Sequence, residues 1–112
     1  NVQSEMFYKK GLLDGVSKTY HKNGKVNVEA TYKNGVQVGV QKDYYQNGKL
    51  KIELPLDKSG LVNGIVKIYY PSGKLKEEQR YKNDKLDGVS KVYDESGKVV
   101  EEVTYKNGLE VK

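Results

Sequence analysis

Polar and apolar residues alternate along this chain in short runs, and a glycine-bearing turn cuts off almost every run. Alternation with period two predicts β-strands, because successive side chains of a strand point to opposite faces. The runs are themselves periodic. Gly15, Gly39, Gly64 and Gly88 open units of 24 or 25 residues, and Tyr20, Tyr44, Tyr69 and Tyr93 stand five positions after them. Each unit then carries a turn glycine (Gly24, Gly48, Gly73, Gly97) and a glutamate (Glu29, Glu53, Glu78, Glu102) at fixed offsets. Self-similarity at such a period is the signature of a repeat array. The chain therefore divides as a single repeat domain over 1–112, with a partial copy at 1–14 and full copies at 15–38, 39–63, 64–87 and 88–111.

Inside each copy two strand-like runs flank Lys-Asn-Gly-Lys, Gln-Asn-Gly-Lys, Pro-Ser-Gly-Lys or Glu-Ser-Gly-Lys. Asn-Gly between alternating runs predicts a hairpin with a type I′ turn, whose two central residues both need positive φ. Counting outward from Asn23 and Gly24 sets Lys18 opposite Glu29 and Gly15 opposite Tyr32. The same count sets Lys42 opposite Glu53, Lys67 opposite Glu78, Lys91 opposite Glu102 and Gly88 opposite Tyr105. Opposed charges contribute about 0.2–1 kcal/mol per pair and penalise a slipped register. Tyr-Lys-Asn-Gly and its relatives form the second turn of each copy. The fold class is thus all-β: a single-layer antiparallel meander of repeated hairpins, an extended twisted ribbon of about 43 by 23 Å.

Both faces of that ribbon carry apolar ladders diluted by charge. Counting puts Val16, Val40, Ile65 and Val89 on one face with the Lys–Glu pairs and Tyr20, Tyr44, Tyr69 and Tyr93. It puts Val26, Leu50, Leu75 and Val99 on the other with Tyr32, Leu56, Tyr81 and Tyr105. A sheet polar and apolar on both faces reads as one layer wet on both sides. Pro55 interrupts the pattern: Glu-Leu-Pro-Leu-Asp-Lys-Ser-Gly adds one residue and puts Leu56 in the place of a tyrosine. A bulge or bend is expected over 54–60, since proline cannot donate to a ladder.

Composition narrows the function classes. The net charge of +5 rests almost wholly on lysine, interleaved with glutamate, and Arg80 is the single arginine. That is a solvated surface rather than a nucleic-acid reader, which would lean on clustered arginine forks. There is no cysteine, so disulfides and thiolate metal sites are excluded. Zero cysteine fits a reducing cytoplasm and equally an exported or cell-surface chain, and the compartment stays open. Asn1 is not a start methionine, and Glu5, Tyr8 and Gly11 match Glu29, Tyr32 and Gly35, so the chain enters mid-repeat and an upstream segment is expected.

The units G-x-x-K-x-Y-x-x-[NS]-G-K-[LV], followed by Glu and then Y-K-N-G, resemble the bacterial variant of the MORN repeat, the type found in YwqK antitoxin-like proteins. The resemblance runs from Glu5 to about Val111. It implies an extended single-layer hairpin ribbon used as a protein-interaction scaffold, in some cases touching lipid, and in the YwqK-like group neutralising a partner toxin. Relatives that carry kinase or methyltransferase domains hold their activity outside the repeats, and 112 residues filled with repeats leave no room for one.

The residues themselves offer little catalysis. The only histidine, His21, sits beside a turn, and no serine has a histidine and an acid at motif spacing. The ladder of Glu5, Glu29, Glu53, Glu78 and Glu102 could attract cations, but its lysine partners point to a structural role, so no metal and no cofactor is expected. The chain reads as a non-catalytic scaffold. Differences between copies point to the partner surface. Tyr45 and Tyr70 follow Tyr44 and Tyr69, and alternation groups them with Leu50, Ile52, Leu54, Val66, Ile68 and Leu75. Outer copies are more polar at the equivalent positions, with Ser17, Thr19, Ser90 and Glu101. The expectation is a mid-ribbon apolar patch that binds a protein, antitoxin-like in mode. The alternatives are an anionic membrane surface, on which lysines and tyrosines would settle, and a structural cell-surface array. Unpaired end strands or the apolar face also leave homodimerisation open.

Overall fold

A computed structural model describes residues 4–111, and residues 1–3 and 112, the ends of the predicted repeat domain, lie outside the described residues. Every regular element is a strand: β1 (Ser4–Glu5), β2 (Tyr8–Lys9), β3 (Leu12–Leu13), β4 (Gly15–Tyr20), β5 (Val26–Lys33), β6 (Val36–Tyr44), β7 (Leu50–Leu56), β8 (Gly64–Tyr69), β9 (Leu75–Lys82), β10 (Lys85–Leu86), β11 (Gly88–Tyr93), β12 (Val99–Lys106) and β13 (Leu109–Glu110). Eleven of them form one antiparallel sheet in the order β1-β4-β5-β6-β7-β8-β9-β11-β12-β13, with β10 beside β9, while β2 and β3 pair separately. The sheet is open, and the molecule measures 48 × 32 × 15 Å. All strands but the two-residue β2 and β3 belong to that one open sheet, and among the described residues only Ala30 and Val66 are buried apolar side chains, so no second layer covers it. The single-layer meander is therefore the observed architecture.

The predicted register holds at every Lys–Glu pair, but the turns reach it differently. His21 N–H donates to Lys25 O and Gly24 N–H to His21 O, at 2.7 and 2.9 Å. Gly24 takes φ +88°, while Asn23 is absent from the left-handed residues. This is a three-residue loop with the glycine in the left-handed position, not a type I′ turn. Such a loop shifts the pairing by one residue. A bulge restores it: Thr19 opposes Val28 while Tyr20 opposes Val26, which leaves Asn27 unpaired. Lys51, Lys76 and Val100 are the corresponding unpaired residues in the other copies. Loop and bulge cancel, so the count from Asn23-Gly24 arrives at the right partners through the wrong turn. Type I′ geometry appears instead at the second connections. Asn34 and Gly35 have φ of +51° and +83°, and Asn107 and Gly108 have +51° and +83°.

Asparagine tolerates that conformation because its short polar side chain can bond locally. Lys10, at φ +52°, occupies the same place in the β2–β3 turn without that advantage. Lys10→Asn is expected to stabilise this hairpin by about 0.5–1 kcal/mol, read as slower amide exchange at Leu12.

Around Pro55 the ladder is irregular, as expected. The β7–β8 register is continuous only at Ile52–Ile68 and Glu53–Lys67, and a lone bridge, Leu56–Val62, follows. The added residue is absorbed by a second three-residue loop, in which Asp57 N–H donates to Leu61 O and Gly60 N–H to Asp57 O. The Asp57 carboxylate accepts from Ser59 N, Leu61 N and Asn63 Nδ2 at 2.9, 3.0 and 2.6 Å. Those bonds hold its carboxyl below the usual range, the one from Leu61 most.

A thick core is absent: among the described residues only Ala30 and Val66 are buried apolar side chains, at 7% and 5% exposure. Stability must come from contacts between neighbouring copies, the quasi-one-dimensional arrangement of repeat proteins.

Candidate interaction surface

Directly opposed residues share a face, so the register assigns every strand-paired side chain to one of two surfaces. On the first lies an unbroken row of alternating charge across nine strands: Glu5, Lys18, Glu29, Lys42, Glu53, Lys67, Glu78, Lys91 and Glu102. Alignment does not mean ion contact. Among the described residues a lysine meets a carboxylate only at Lys18–Glu29, at 4.0 Å. The glutamates take tyrosine hydroxyls instead. Tyr69 Oη donates to Glu53 at 2.5 Å, Tyr93 Oη to Glu78 at 2.6 Å, and Tyr20 Oη to Glu5. Each bond joins one copy to the glutamate of the copy before it. A half-exposed Lys–Glu pair is worth little, whereas a hydroxyl bonded to an ionised carboxylate is a charge-assisted bond.

The same bonds raise the phenols. Tyr69 is pushed up to about 12, by burial first and by Glu53 second. Tyr20 and Tyr93 are also raised, chiefly by their bonds to Glu5 and Glu78. A group whose folded pKa is raised stabilises the fold fully below its unfolded value and loses that contribution as pH climbs through the folded one. Stability is therefore expected to fall from pH 10 towards pH 12, and Tyr69→Phe should flatten that decline in denaturant midpoints taken at pH 9 and pH 11.5.

One ribbon edge is made by the three-residue loops, and there each copy grips the next. His21 Nε2 lies 2.9 Å from Tyr44 O, Tyr45 Oη donates to Tyr69 O at 2.6 Å, and Tyr70 Oη to Tyr93 O at 2.6 Å. Asn23 and Asn47 reach Gln46 O and Pro71 O, and Lys25 and Lys49 reach Asn47 O and Ser72 O. The ammoniums of the bulge residues Lys51 and Lys76 stand 5.6 and 5.7 Å from the ring centres of Tyr45 and Tyr70. The fourth copy has Asp94 at this position. Its carboxylate closes its own loop by accepting from Ser96 N and Lys98 N, which holds it below the usual range together with the Ser96 hydroxyl, the largest cause.

This geometry regroups the predicted partner residues. Tyr45 and Tyr70 have their hydroxyls committed to inter-copy bonds. Leu50 and Leu75 do not share a face with Ile52 and Ile68: they oppose Tyr44 and Tyr69 on the charged face, and so do Val26 and Val99 with Tyr20 and Tyr93. The bulge is the reason, because one extra residue reverses the alternation. Ile52, Leu54, Val66 and Ile68 remain together on the second surface, in the two central strands. The patch is less exposed than counting suggested, since none of the eight is among the large apolar residues above a third exposed. Those are Met6, Phe7, Tyr8, Leu12, Val16, Val36 and Val40, and at the other end Val99, Val100, Leu109 and Val111. End copies lack a neighbour on one side, which leaves their apolar groups in solvent, while Val36 and Val40 lie on β6 between two paired strands and are exposed on the uncovered face of the sheet.

What counting missed is the border of the quartet. Gln41 opposes Leu54 and Asp43 opposes Ile52 on one flank, while Gln79 opposes Val66 and Glu77 opposes Ile68 on the other. Gln41 Nε2 donates to Asp43 and Gln79 Nε2 to Glu77, both at 2.8 Å. Asp43 stands between Val28 and Ile52, and Glu77 between Ile68 and Val92, only across the strands, a juxtaposition that no single run of the sequence displays. Beyond Glu77 a cavity of about 50 Å³ is lined by Glu77, Gln79, Ser90, Val92, Glu101 and Tyr105 among others. Among the described residues no three His, Asp or Glu side chains stand close enough to share a metal ion.

These features define the class: an open, single-layer β-hairpin repeat with surfaces on both sides. The MORN repeat variant profile matches residues 13–34, 37–58, 62–83 and 86–107. Those matches cover most of the chain, which belongs to the MORN repeat variant family. Repeats of this kind generally serve protein or membrane-lipid interactions. No curated protein sequence matches the chain significantly.

Proposed function

We propose that this protein is a non-catalytic scaffold that binds a protein partner through the surface centred on Ile52, Leu54, Val66 and Ile68. The observation that carries this reading is the absence of a second layer over an apolar quartet in the middle of a sheet whose thin dimension is 15 Å. In a two-layer domain that quartet would be core, and in a lone ribbon it is contact area. Antitoxin-like neutralisation is the form of binding the family resemblance favours: the ribbon would cover the active surface of its partner. The partner-facing residues are then Ile52, Leu54 and Ile68 around the buried Val66, with Tyr45 and Tyr70 holding neighbouring copies in place.

The test is affinity capture from a lysate of the native organism with the chain, with a Leu54→Ser/Ile68→Thr variant, and with a Val40→Ser/Val89→Ser variant of the other face, all shown to be folded by circular dichroism. A stoichiometric partner retained at 0.5 M salt and lost only with the first variant is the expected result. Equal loss with both variants, or with neither, would count against the reading. A second reading has one observation in its favour. The charged face and its strand ends also carry Lys33, Arg80, Lys82, Lys85 and Lys106 beside Val16, Val40, Ile65 and Val89, which suits an anionic lipid surface. Co-sedimentation with phosphatidylserine vesicles that vanishes at high salt would support it.

A further inference from the structure

The charges on the two surfaces are not mixed alike. On the face of the Lys–Glu row, strand-paired side chains include both signs, with Lys18, Lys42, Lys67 and Lys91 interleaved among glutamates and Arg80 opposite Ile65. On the other face every charged strand-paired side chain of the large sheet is an acid: Asp43, Glu77, Glu101 and Glu110. The chain as a whole carries +5, so this face runs against its own background. Three of the acids lie in one row across the strands. The register reads Asp43, Ile52, Ile68, Glu77, Val92, Glu101, each residue directly opposite the next. Acid thus alternates with apolar residues along a line through the proposed partner surface. Neighbouring strands stand about 4.8 Å apart, so Asp43 and Glu77 are about 14 Å apart and Glu77 and Glu101 about 10 Å.

Among the described residues no lysine or arginine stands within ion-pair distance of those carboxylates. Asp43 and Glu77 accept amide N–H groups from Gln41 and Gln79, which orient a carboxylate without cancelling its charge. Lys51 and Lys76, at the bulges, are held over the tyrosine rings of the loop edge. Free acids beside half-buried apolar residues favour a complementary surface and repel an acidic one, which sets specificity as well as encounter rate.

We infer that the partner docks with a lysine-bearing amphipathic segment, its apolar residues on Ile52 and Ile68 and its cations against Asp43, Glu77 and Glu101. This rests on the partner-surface reading above and adds the charge of the occupant. Anionic lipid is excluded from this face by the same acids, and belongs, if anywhere, to the opposite one.

Two synthetic probes of equal length test it, one amphipathic in leucine and lysine and one with every lysine replaced by glutamate, each titrated into the ¹⁵N-labelled chain and followed by amide shifts. The lysine probe should perturb Asp43, Ile52, Ile68, Glu77, Val92 and Glu101, and bind about three- to tenfold more weakly to a Glu77→Gln/Glu101→Gln variant. Equal binding of the glutamate probe, no loss in that variant, shifts confined to the Lys–Glu face, or no binding of the lysine probe would each overturn the inference. An Ile68→Thr variant separates the two readings. If it abolishes binding of both probes alike, the apolar surface stands and the charge assignment falls. If lysine-probe binding ignores Ile68→Thr but needs Glu77 and Glu101, the acids bind and the apolar surface is wrong.

Discussion

Gly64→Ala should lower stability by about 1–3 kcal/mol, among the largest effects of any single methyl group in this chain. Gly64 opens the third copy with φ +120°, a conformation that L side chains rarely adopt. A Cβ built there would lie 3.2 Å from Pro55 Cγ and 3.4 Å from Pro55 Cβ, and a proline ring cannot rotate away. Tyr81 opposes the glycine across the β8–β9 ladder, so a shift of the backbone also disturbs that pairing. Gly97→Ala is the matched control: its φ is +90°, but nothing lies within 4 Å of the added methyl. Conformational strain alone acts there, at about 1 kcal/mol. Urea midpoints of the two variants against the parent decide it. Equal losses would mean that the approach of Pro55 contributes nothing.

Tyr45→Ser combined with Tyr70→Ser should cost about 4–6 kcal/mol and break the cooperativity of unfolding. Each substitution removes a half-buried ring, a bond to the next copy's carbonyl at 2.6 Å and the stack beneath a lysine. Losing a large aromatic side chain costs about 3–5 kcal/mol in a full core, and less at a half-exposed site. In a repeat array stability is a sum of units and interfaces, so damage to both interfaces of the third copy should uncouple the copies on either side of it. Calorimetry should then show a broadened or split transition in place of one peak. Tyr45→Phe/Tyr70→Phe keeps the rings and removes only the hydroxyls, and should cost about 1–3 kcal/mol with the single transition retained. A double serine variant that melts like the parent would return these tyrosines to the partner surface.

Much of the architecture could be read from the chain because it depends on local patterns. Glycine and asparagine mark where φ turns positive, and alternation marks the strands. Four Lys–Glu pairs at one offset fix the register by counting. The absence of a core was equally legible, since no copy supplies enough apolar residues for two layers. The surfaces were less legible for one physical reason. A bulge adds a residue whose presence depends on how the strand closes onto its partner, and each bulge moves Leu50 or Leu75 to the other side. Counting with strict alternation cannot register that reversal.

The partners of the polar groups also waited on tertiary structure. Charge pairing in the sequence pointed to lysine for each glutamate, yet the hydroxyl of the following copy's tyrosine reaches Glu53 and Glu78 more closely than any lysine does. Tyr45 and Tyr70 looked free for a partner because their contacts lie 24 and 23 residues away. The sequence alone determined the repeat, the strand order, the Lys–Glu register and the single layer, all consequences of local conformation and period. Only the folded sheet decided which side chains share a face, which tyrosines are committed to holding copies together and that the strand-paired charges of one surface are all acidic, because those follow from bulges and from contacts between copies that no single repeat contains.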